Sequence, residues 1–521
     1  MNTIKYNILR TRAKYILPFI LLLIIPSLSS CDDWFDVTSS NEVREKDHYN
    51  NDIGFQQTLI GCYIRMAQQD LFGKTLSWYL PDILANETRS YSGVSSTFAA
   101  EEYMCQNHSY TNTYTKSLME SIWSSGYSVI ANANEALAVI DEKESQMDLI
   151  NYHVIKGELL GIRAFMHFQL LRLYGYGDWT SRKAELDSKK TLPYVITVNK
   201  DLTEQATGKD YFAMLEKDLS EASSLLKDYD PVCGVHESSY YDEVNDAGFY
   251  NNRNSHLNYY AIKALQAQVY QWEGNYSDAQ AAADEVINAL GNGANIRFDN
   301  ENTFILSMMD ASTLNNSNKS MVSEALFSLS IQDLSQMLNS YINPTYKDVD
   351  YHAIYLTPQQ AMDLYDDPET EQNETSLDIR FTTLLYHNVT NPSFEGYVPL
   401  KFVQDNLTSY HVNKIPVLRL PEVYYIAAEC YLNNGNLQKA MDLVNVIREK
   451  RGLYTPLSGL SSEEIKEQIK REYRKEFLGE GEIFYYYKRT GASSIPNHEE
   501  MTDADYLLPY PDLEIQSGRV Q

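Results

Sequence analysis

The sequence contains little cysteine and none of the common motifs of a metal or nucleotide site. Five cysteines occur in 521 residues, without a C-x-x-C pair, so a disulfide framework is not expected. The ten histidines form no H-E-x-x-H motif and no pair at i, i+4, so no zinc site is expected. Gly73-Lys74-Thr75 has the end of a P-loop, but Gln68 stands where the first glycine is required. Because a G-x-S-x-G motif is also missing, the sequence predicts no cofactor, no metal ligand and no catalytic residue.

Basic residues are scarce relative to acidic ones. The chain has 43 Lys and Arg residues and 71 Asp and Glu residues, which gives a net charge of −28. Such acidity argues against binding to nucleic acid or to an anionic lipid surface. Beyond the N-terminal segment, no stretch approaches the roughly 20 apolar residues that a transmembrane helix needs. The chain is long for one core, so two or more packed lobes are predicted.

The first 31 residues have a different character. Four basic residues precede an apolar run at 15–25, and the segment ends in Leu28-Ser29-Ser30-Cys31. This order is typical of a secretory signal, and the small-small-Cys exit resembles a bacterial lipobox. In signals of that class residues 1–30 are removed and the cysteine is lipidated, which predicts a chain anchored to a membrane through Cys31. The alternative is an ordinary signal with a chance cysteine.

Helical periodicity dominates most of the remaining chain. Two segments, 70–115 and 228–256, are predicted to be loop-like, except for a short apolar piece at 76–84. Gly157, Gly161 and Ala164 share a helix face, which predicts the close approach of a neighbouring helix. Ser277–Gln280 and Ser461–Glu464 have the spacing of capping boxes. The predicted helices are 53–69, 116–140, 152–174, 211–226, 259–272, 277–290, 420–432, 437–447 and 462–488.

Two of the helix pairs share one design. The turns Gly274-Asn275 and Gly435-Asn436 each have an alanine five residues after the glycine, an arrangement that resembles the tetratricopeptide repeat. Such units cannot bury their faces alone, so further pairs are expected, and the helices 116–140 and 152–174 are the candidate third pair. Periodicity largely fails between 291 and 418, where either a binding lobe or a set of spacers is predicted.

The order of several segments resembles the SusD/RagB family of outer-membrane nutrient-binding lipoproteins. They are the lipobox, Gly157-Glu158 through Arg172-Leu173-Tyr174-Gly175, the two repeat pairs, Glu476 with Glu480-Gly481, and Leu508-Pro509-Tyr510-Pro511. Ile483 and Tyr486 stand where the family usually has Arg and Asp, so the C-terminal helix is expected to dock differently. The expected organisation is a signal peptide (1–30), a lipidated tether (31–52), a SusD-like N-terminal helical region (53–227) and a C-terminal region (228–521) that contains helix pairs at 257–290 and 419–451 and the irregular middle lobe at 291–418.

This resemblance implies a mainly α fold, a superhelix of tetratricopeptide-like pairs that carries a loop-rich ligand-binding lobe. It implies non-catalytic capture of an oligosaccharide, or of a peptide, and delivery to a SusC-like TonB-dependent outer-membrane β-barrel, over which the lipoprotein sits as a lid. Asp32 and Asp33 resemble a surface-export signal, so the outer face of the outer membrane is the expected location. A surface glycoside hydrolase stays open, because its two carboxylates need only spatial proximity, as does a periplasm-facing adaptor.

Sugar binding calls for aromatic faces together with a few amide and charged groups. The segment 78–91 offers both kinds, and its candidate ligand-binding residues are Trp78, Tyr79, Asn86, Arg89 and Tyr91. The middle lobe adds Tyr346 and Tyr351, with Tyr341 and Tyr355 beside them in sequence. Trp78 and Tyr79 have an alternative interpretation as core residues. The sequence leaves open which ligand binds and whether a disulfide forms among Cys62, Cys105, Cys233 and Cys430.

Overall fold

The computed structural model describes residues 48–92, 97–199, 201–245, 247–291, 308–309, 319–339, 341, 352–365, 377–388, 395–403 and 412–520. The chain divides into a short unit, 1–54, and a large unit, Phe55–Gln521. Cys31, Tyr346 and Tyr351 lie outside the described residues, as does the side chain of Tyr91. No helix within the described ranges is both long and apolar enough to cross a membrane.

The fold is mainly α, as predicted. In the N-terminal half the helices are α1 (Asp52–Met66), α2 (Leu80–Leu84), α3 (Thr97–Gln106), α4 (Thr113–Lys143), α5 (Leu149–Tyr174), α6 (Trp179–Leu186), α7 (Gly208–Leu226), α8 (Tyr259–Glu273) and α9 (Tyr276–Gly291). In the C-terminal half they are α10 (Leu334–Asn339), α11 (Pro358–Tyr365), α12 (Ile379–Thr382), α13 (Leu420–Asn433), α14 (Leu437–Lys450), α15 (Ser462–Phe477), α16 (Ile483–Arg489), α17 (Asp503–Tyr506) and α18 (Asp512–Gln516).

Short antiparallel strand pairs connect segments that are distant in sequence. The strands are β1 (Arg89–Ser92), β2 (Lys190–Pro193), β3 (Gln205–Thr207), β4 (Ala325–Ser330), β5 (His352–Tyr355), β6 (Leu385–Asn388), β7 (Gly396–Pro399) and β8 (Lys414–Arg419). They pair as β1–β5, β2–β3, β4–β8 and β6–β7. The β1–β5 pair joins the segment after α2 to the middle of the chain. The β4–β8 pair joins the middle of the chain to the segment that leads into α13.

The long helices pack in sequence order around α5. This helix is buried on nearly every face from Ile150 to Tyr174, and its charged residues Glu158, Arg163 and Arg172 are buried as well. It packs against α4 and α7, and α7 packs against α8. The two repeat pairs, α8–α9 and α13–α14, stack directly through α9 and α13. The predicted stacking of helix pairs is therefore confirmed, with α4–α5 at the N-terminal end of the row.

Glycines on α5 allow its neighbours to approach closely, as predicted. A Cβ atom added at Gly157 would lie 2.8 Å from Leu226 Cγ of α7, and one added at Gly161 would lie 2.4 Å from Ile262 Cδ1 of α8. Both distances are shorter than normal carbon contacts. Two different helices therefore use the glycine face of α5.

The predicted helix at 462–488 is wrong, because the chain forms two helices there. Gly479 (φ 80°) and Gly481 (φ 79°) adopt left-handed conformations between α15 and α16, which an L-residue avoids and a continuous helix excludes. A Cβ atom at Gly481 would lie 2.0 Å from the Ser77 carbonyl oxygen. The Glu480-Gly481 motif thus turns the chain against the segment that precedes α2.

Of three other local predictions, one is wrong, one is confirmed and one is only partly right. The side chain of Asn275 caps α9 by accepting from the Asp278 N–H at 3.4 Å, so the predicted capping box at Ser277–Gln280 is wrong. The box at Ser461–Glu464 is confirmed at the start of α15. The segment 70–115 is less loop-like than predicted, because it contains β1 and α3 in addition to α2, which lies in the apolar piece at 76–84.

A network of buried charges holds α15 against the β4–β8 pair. Its centre is Glu476, which is 0% exposed. One carboxylate oxygen of Glu476 accepts from Arg451 at 2.8 Å and from Arg419 at 2.9 Å. The other accepts from Arg451 at 3.0 Å and from Arg380 at 3.3 Å. The Glu476 that contributed to the sequence resemblance is therefore a structural residue.

Ile483 and Tyr486, the two departures from the family pattern, are both buried on α16. The expectation that this helix docks differently stays a prediction. The four described cysteines, Cys62, Cys105, Cys233 and Cys430, are free thiols. They are buried or half-buried, which fits small packing residues.

Candidate functional site

Trp78 and Tyr79 lie in a π-helical turn, Thr75–Tyr79, immediately before α2. Their side chains are only 2% and 1% exposed. A ring that is buried to this degree presents no face on which a sugar could stack. The structure therefore favours the core interpretation of both residues, which the sequence had left open.

Asn86 and Arg89 bind the chain itself. Asn86 is 2% exposed, and its side-chain amide donates to the Gln106 carbonyl at 2.9 Å. Arg89 donates to the side chain of Asn497 at 2.5 Å, and Asn497 donates in turn to the Asn86 carbonyl at 3.3 Å. These contacts tie the segment after α2 to the C-terminal part of the chain. Tyr91 follows in β1, where its backbone pairs with Ala353.

Tyr341 is a half-buried tyrosine that packs on the buried rings of Trp78 and Tyr79. Its ring packs edge-to-face on Trp78 and on Tyr79, with centroid distances of 5.4 and 6.0 Å. Lys74 donates to the Tyr341 hydroxyl at 3.0 Å and lies 3.9 Å from the centre of the Tyr79 ring. The three rings and Lys74 form what we call the aromatic cluster. Of its rings, Trp78 and Tyr79 are buried and Tyr341 is half-buried.

Acidic residues of α3 complete the electrostatic environment of the cluster. Tyr79 donates to Glu101 at 3.0 Å, while Glu102 is 1% exposed. Burial lowers the pKa of Lys74 to about 8, with Glu101 and Glu102 acting in the opposite direction. Burial also raises the pKa of Glu102 to about 7. Both shifts disfavour the charged form and have burial as their first cause.

The aromatic cluster opens into a groove of about 880 Å³, which we call the Tyr341 groove. This volume is in the range of sites that hold small organic ligands. One wall comes from the end of α1 and the residues after it, and the other from the turn between β4 and α10. The lining residues are Ile64, Ala67, Gln68, Gln69, Ser330, Ile331, Gln332, Asp333, Gln336, Met337 and Tyr341.

The polar groups of the groove are exposed amides, the hydroxyl of Ser330 and one carboxylate. Gln68, Gln69, Gln332 and Gln336 are exposed, as is Asp333. Each amide can donate and accept hydrogen bonds, so four of them can follow the alternating donors and acceptors of a row of hydroxyl groups. The groove therefore combines an aromatic ring with neutral hydrogen-bonding groups.

Pairing of β4 with β8 fixes the second wall of the groove. Ser330 pairs with Lys414 at the end of the ladder, and the Ile331 N–H donates to the Asn413 carbonyl at 2.6 Å. Asp333 adopts a left-handed conformation, φ 57°, immediately before α10. The sequence did not point to Gln332 and Gln336 because they lie in the segment where the helical pattern fails. It did not point to Gln68 and Gln69 because they only end the predicted helix 53–69.

A second cavity of about 540 Å³ lies between α4 and the chain after β2. Trp123 and Tyr127 contribute aromatic surface, and Asn199 and Asp201 contribute polar groups. Trp123 is only 4% exposed. We take the Tyr341 groove as the candidate ligand site because it is larger and combines a half-buried aromatic ring with several exposed amides.

Two family models match this chain. One, described as the SusD family, matches residues 366–501. The other, described as starch-binding associating with outer membrane, matches residues 33–239. A search of curated proteins found no match.

Solved structures share the fold over nearly their whole length. A SusD superfamily protein from Bacteroides thetaiotaomicron is 22% identical, with a TM-score of 0.68 over 90% of this chain and 99% of that one. A SusD-like carbohydrate binding protein from Bacteroides vulgatus is 16% identical, with a TM-score of 0.67 over 90% and 97%. A SusD superfamily protein from the same species is 18% identical, with a TM-score of 0.65 over 91% and 98%. At these identities the likeness establishes the fold.

Proposed function

The chain belongs to the SusD family, and from this premise we propose that it is a cell-surface lipoprotein that binds an oligosaccharide in the Tyr341 groove. It delivers the ligand, without hydrolysing it, to a SusC-like TonB-dependent β-barrel in the outer membrane. The lipid on Cys31 anchors it beside that transporter. The description of the matched family as starch-binding and associated with the outer membrane supports both the ligand class and the location.

The proposal of an oligosaccharide ligand rests on one observation: Tyr341 and the groove glutamines line the same groove. A pyranose ring has an apolar C–H face that stacks on an aromatic side chain, while its hydroxyl groups need hydrogen-bond partners. Tyr341 is held on Trp78 and Tyr79, so little side-chain entropy is lost when a sugar stacks on it.

Binding without hydrolysis is supported by the charges in the groove. Glycoside hydrolysis by the usual route needs two carboxyl groups on either side of the scissile bond. Among the described lining residues, Asp333 is the single carboxylate. Recovery of every bound oligosaccharide intact after prolonged incubation is expected, and a shortened product would instead establish a hydrolase.

Substitution of Tyr341 tests the site. The purified protein is screened against arrayed plant, fungal and host oligosaccharides and a peptide library, and the best ligand is titrated by calorimetry. We expect Tyr341→Ala to weaken binding at least tenfold, which corresponds to about 1.4 kcal/mol. Tyr341→Phe should retain most of the affinity, because the stacking face remains.

Tyr454 provides a matched control, because it is a tyrosine with 71% exposure outside the groove lining. Tyr454→Ala should bind like the natural protein, and circular dichroism should show that Tyr341→Ala is folded. Unchanged affinity in folded Tyr341→Ala would remove the groove from the proposal. If the protein bound peptides in preference to sugars, the ligand would be a peptide and not an oligosaccharide.

Delivery to a transporter is tested separately by affinity purification of the tagged lipoprotein in mild detergent. We expect a β-barrel of the TonB-dependent class to copurify in stoichiometric amount. Protease treatment of intact cells should digest the lipoprotein if it faces the exterior. Recovery of the lipoprotein alone, or its survival in intact cells, would contradict the lid arrangement.

A further inference from the structure

Three potential metal ligands that are far apart in sequence meet beyond the end of α3. They are His108, His498 and Asp505, and one ligand atom of each lies within 4.8 Å of the others. His108 follows α3, His498 closes a turn with Ile495, and Asp505 belongs to α17. Motif searches miss this set because its members come from two ends of the chain.

His108 has the hydrogen-bonding pattern of a metal-binding histidine. Its Nε2 lies 3.1 Å from the Leu84 carbonyl oxygen. Because a carbonyl can only accept, Nε2 carries the proton and Nδ1 carries the lone pair. The side chain is 7% exposed, and Nδ1 has no hydrogen-bond partner. A backbone carbonyl that fixes the second nitrogen is the usual outer contact of a ligating imidazole.

Asp505 is held in a similar way. Its Oδ2 accepts from the Thr502 N–H at 2.8 Å and from the Thr502 hydroxyl at 2.7 Å. The other oxygen, Oδ1, lies 3.9 Å from Nε2 of His498. The His498 and Asp505 side chains are 27% and 21% exposed, so an ion can reach the set from solvent while His108 closes its inner side.

We propose that His108 Nδ1, His498 Nε2 and Asp505 Oδ1 bind a Zn²⁺ ion, with water as the fourth ligand. Two imidazole nitrogens and one carboxylate oxygen are typical zinc ligands, whereas Mg²⁺ and Ca²⁺ prefer oxygen alone. Ligand atoms around tetrahedral zinc are about 3.4 Å apart. The ligand atoms here lie up to 4.8 Å apart, so zinc binding requires the part-exposed His498 side chain to move inward.

The ion would act as a clamp between two parts of the chain. Leu84 ends α2, and Asn497, next to His498, bonds to both Arg89 and Asn86. A metal at His498 therefore fixes the C-terminal turn against the segment that follows the aromatic cluster. This inference does not depend on the proposed ligand or transporter, since it concerns a site outside the Tyr341 groove.

Calorimetry of the full-length protein in detergent tests the site, after removal of metals with EDTA. Titration with ZnSO₄ alone should show one ion per chain with a Kd in the micromolar range or tighter, and CaCl₂ and MgCl₂ should bind at least tenfold more weakly. His498→Ala should weaken zinc binding at least tenfold. His387→Ala is the matched control, because the His387 side chain is 42% exposed and lies outside the cluster.

Two further measurements separate a bound ion from a general effect on folding. Zinc should raise the unfolding temperature of the natural protein and of His387→Ala but not that of His498→Ala. Co²⁺ in the same site should give the intense visible absorption of tetrahedral coordination, and His498→Ala should lose it. The absence of zinc binding, equal binding of calcium, or equal loss in His387→Ala would overturn the proposal.

Discussion

Replacement of Glu476 by glutamine should remove the centre of the buried charge network while changing its volume little. Each carboxylate oxygen of Glu476 accepts from two guanidinium groups. Whichever way the amide is turned, its NH₂ group therefore faces two arginines that can only donate. Loss of one partner from a buried ion pair typically costs 3–5 kcal/mol.

The remaining carboxylates place the expected cost at the lower end of that range. Arg419 and Arg451 both keep Glu324, and Arg380 keeps Asp378 and Glu472. We therefore expect a loss of about 3 kcal/mol in the free energy of unfolding. For a unit of the size of Phe55–Gln521, the unfolding entropy is about 1 kcal/mol/K, so the unfolding temperature should fall by about 3 °C.

Scanning calorimetry at pH 7 measures this shift, and Glu467→Gln on the same helix is the control. Glu467 is 66% exposed, and its ion pair with Lys470 is long, at 3.4 Å, so its replacement should cost less than about 0.5 kcal/mol. Equal unfolding temperatures for Glu476→Gln and Glu467→Gln would refute the structural role of the network.

The pH dependence gives an independent check with a defined sign. Although burial opposes it, the arginines around Glu476, Arg451 first, hold the pKa of its carboxyl well below the ordinary value. A depressed carboxyl pKa contributes stability that is present above the unfolded pKa, about 4.3, and is lost as the pH falls through the folded value. The difference between the natural protein and Glu476→Gln should thus be constant from pH 8 to pH 5 and should shrink below pH 4.

Two other predictions follow from the backbone and from a buried histidine. Gly481→Ala should destabilise the fold by more than about 3 kcal/mol, because it adds a backbone clash with Ser77 to the strain of a left-handed conformation. The control Gly459→Ala has the same strain without a clash and should cost about 1 kcal/mol. Equal shifts of the unfolding temperature in the two variants would contradict the clash. Burial lowers the pKa of His167 to about 3, so its stabilising contribution, complete above the unfolded pKa of about 6.5, should fall by about 2 kcal/mol between pH 7 and pH 5. Urea unfolding at both pH values checks this, and His167→Gln should lose that part of the pH dependence; an unchanged slope would contradict it.

Periodic features of the fold were accessible from the sequence. Apolar spacing located the long helices, and the repeated Gly-Asn turns identified the two stacked pairs. The error at 462–488 arose where two glycines interrupt a segment whose apolar spacing is helical. The predicted helix 462–488 continued across Gly479 and Gly481 because the residues on both sides have helical spacing, and only the packing of Gly481 against Ser77 shows why the chain must turn there.

The candidate site was less accessible because its residues act through contacts that no local pattern records. Trp78 and Tyr79 have the right chemistry for sugar binding, but the fold uses them to support Tyr341. The glutamines of the groove come from the end of α1 and from the turn after β4, which the β4–β8 pairing positions. In the same way, His108 and His498 form no motif and become neighbours only because the C-terminal turn packs beside α3. In this chain, local sequence therefore predicts the scaffold, whereas long-range strand and loop contacts determine which polar side chains face a ligand.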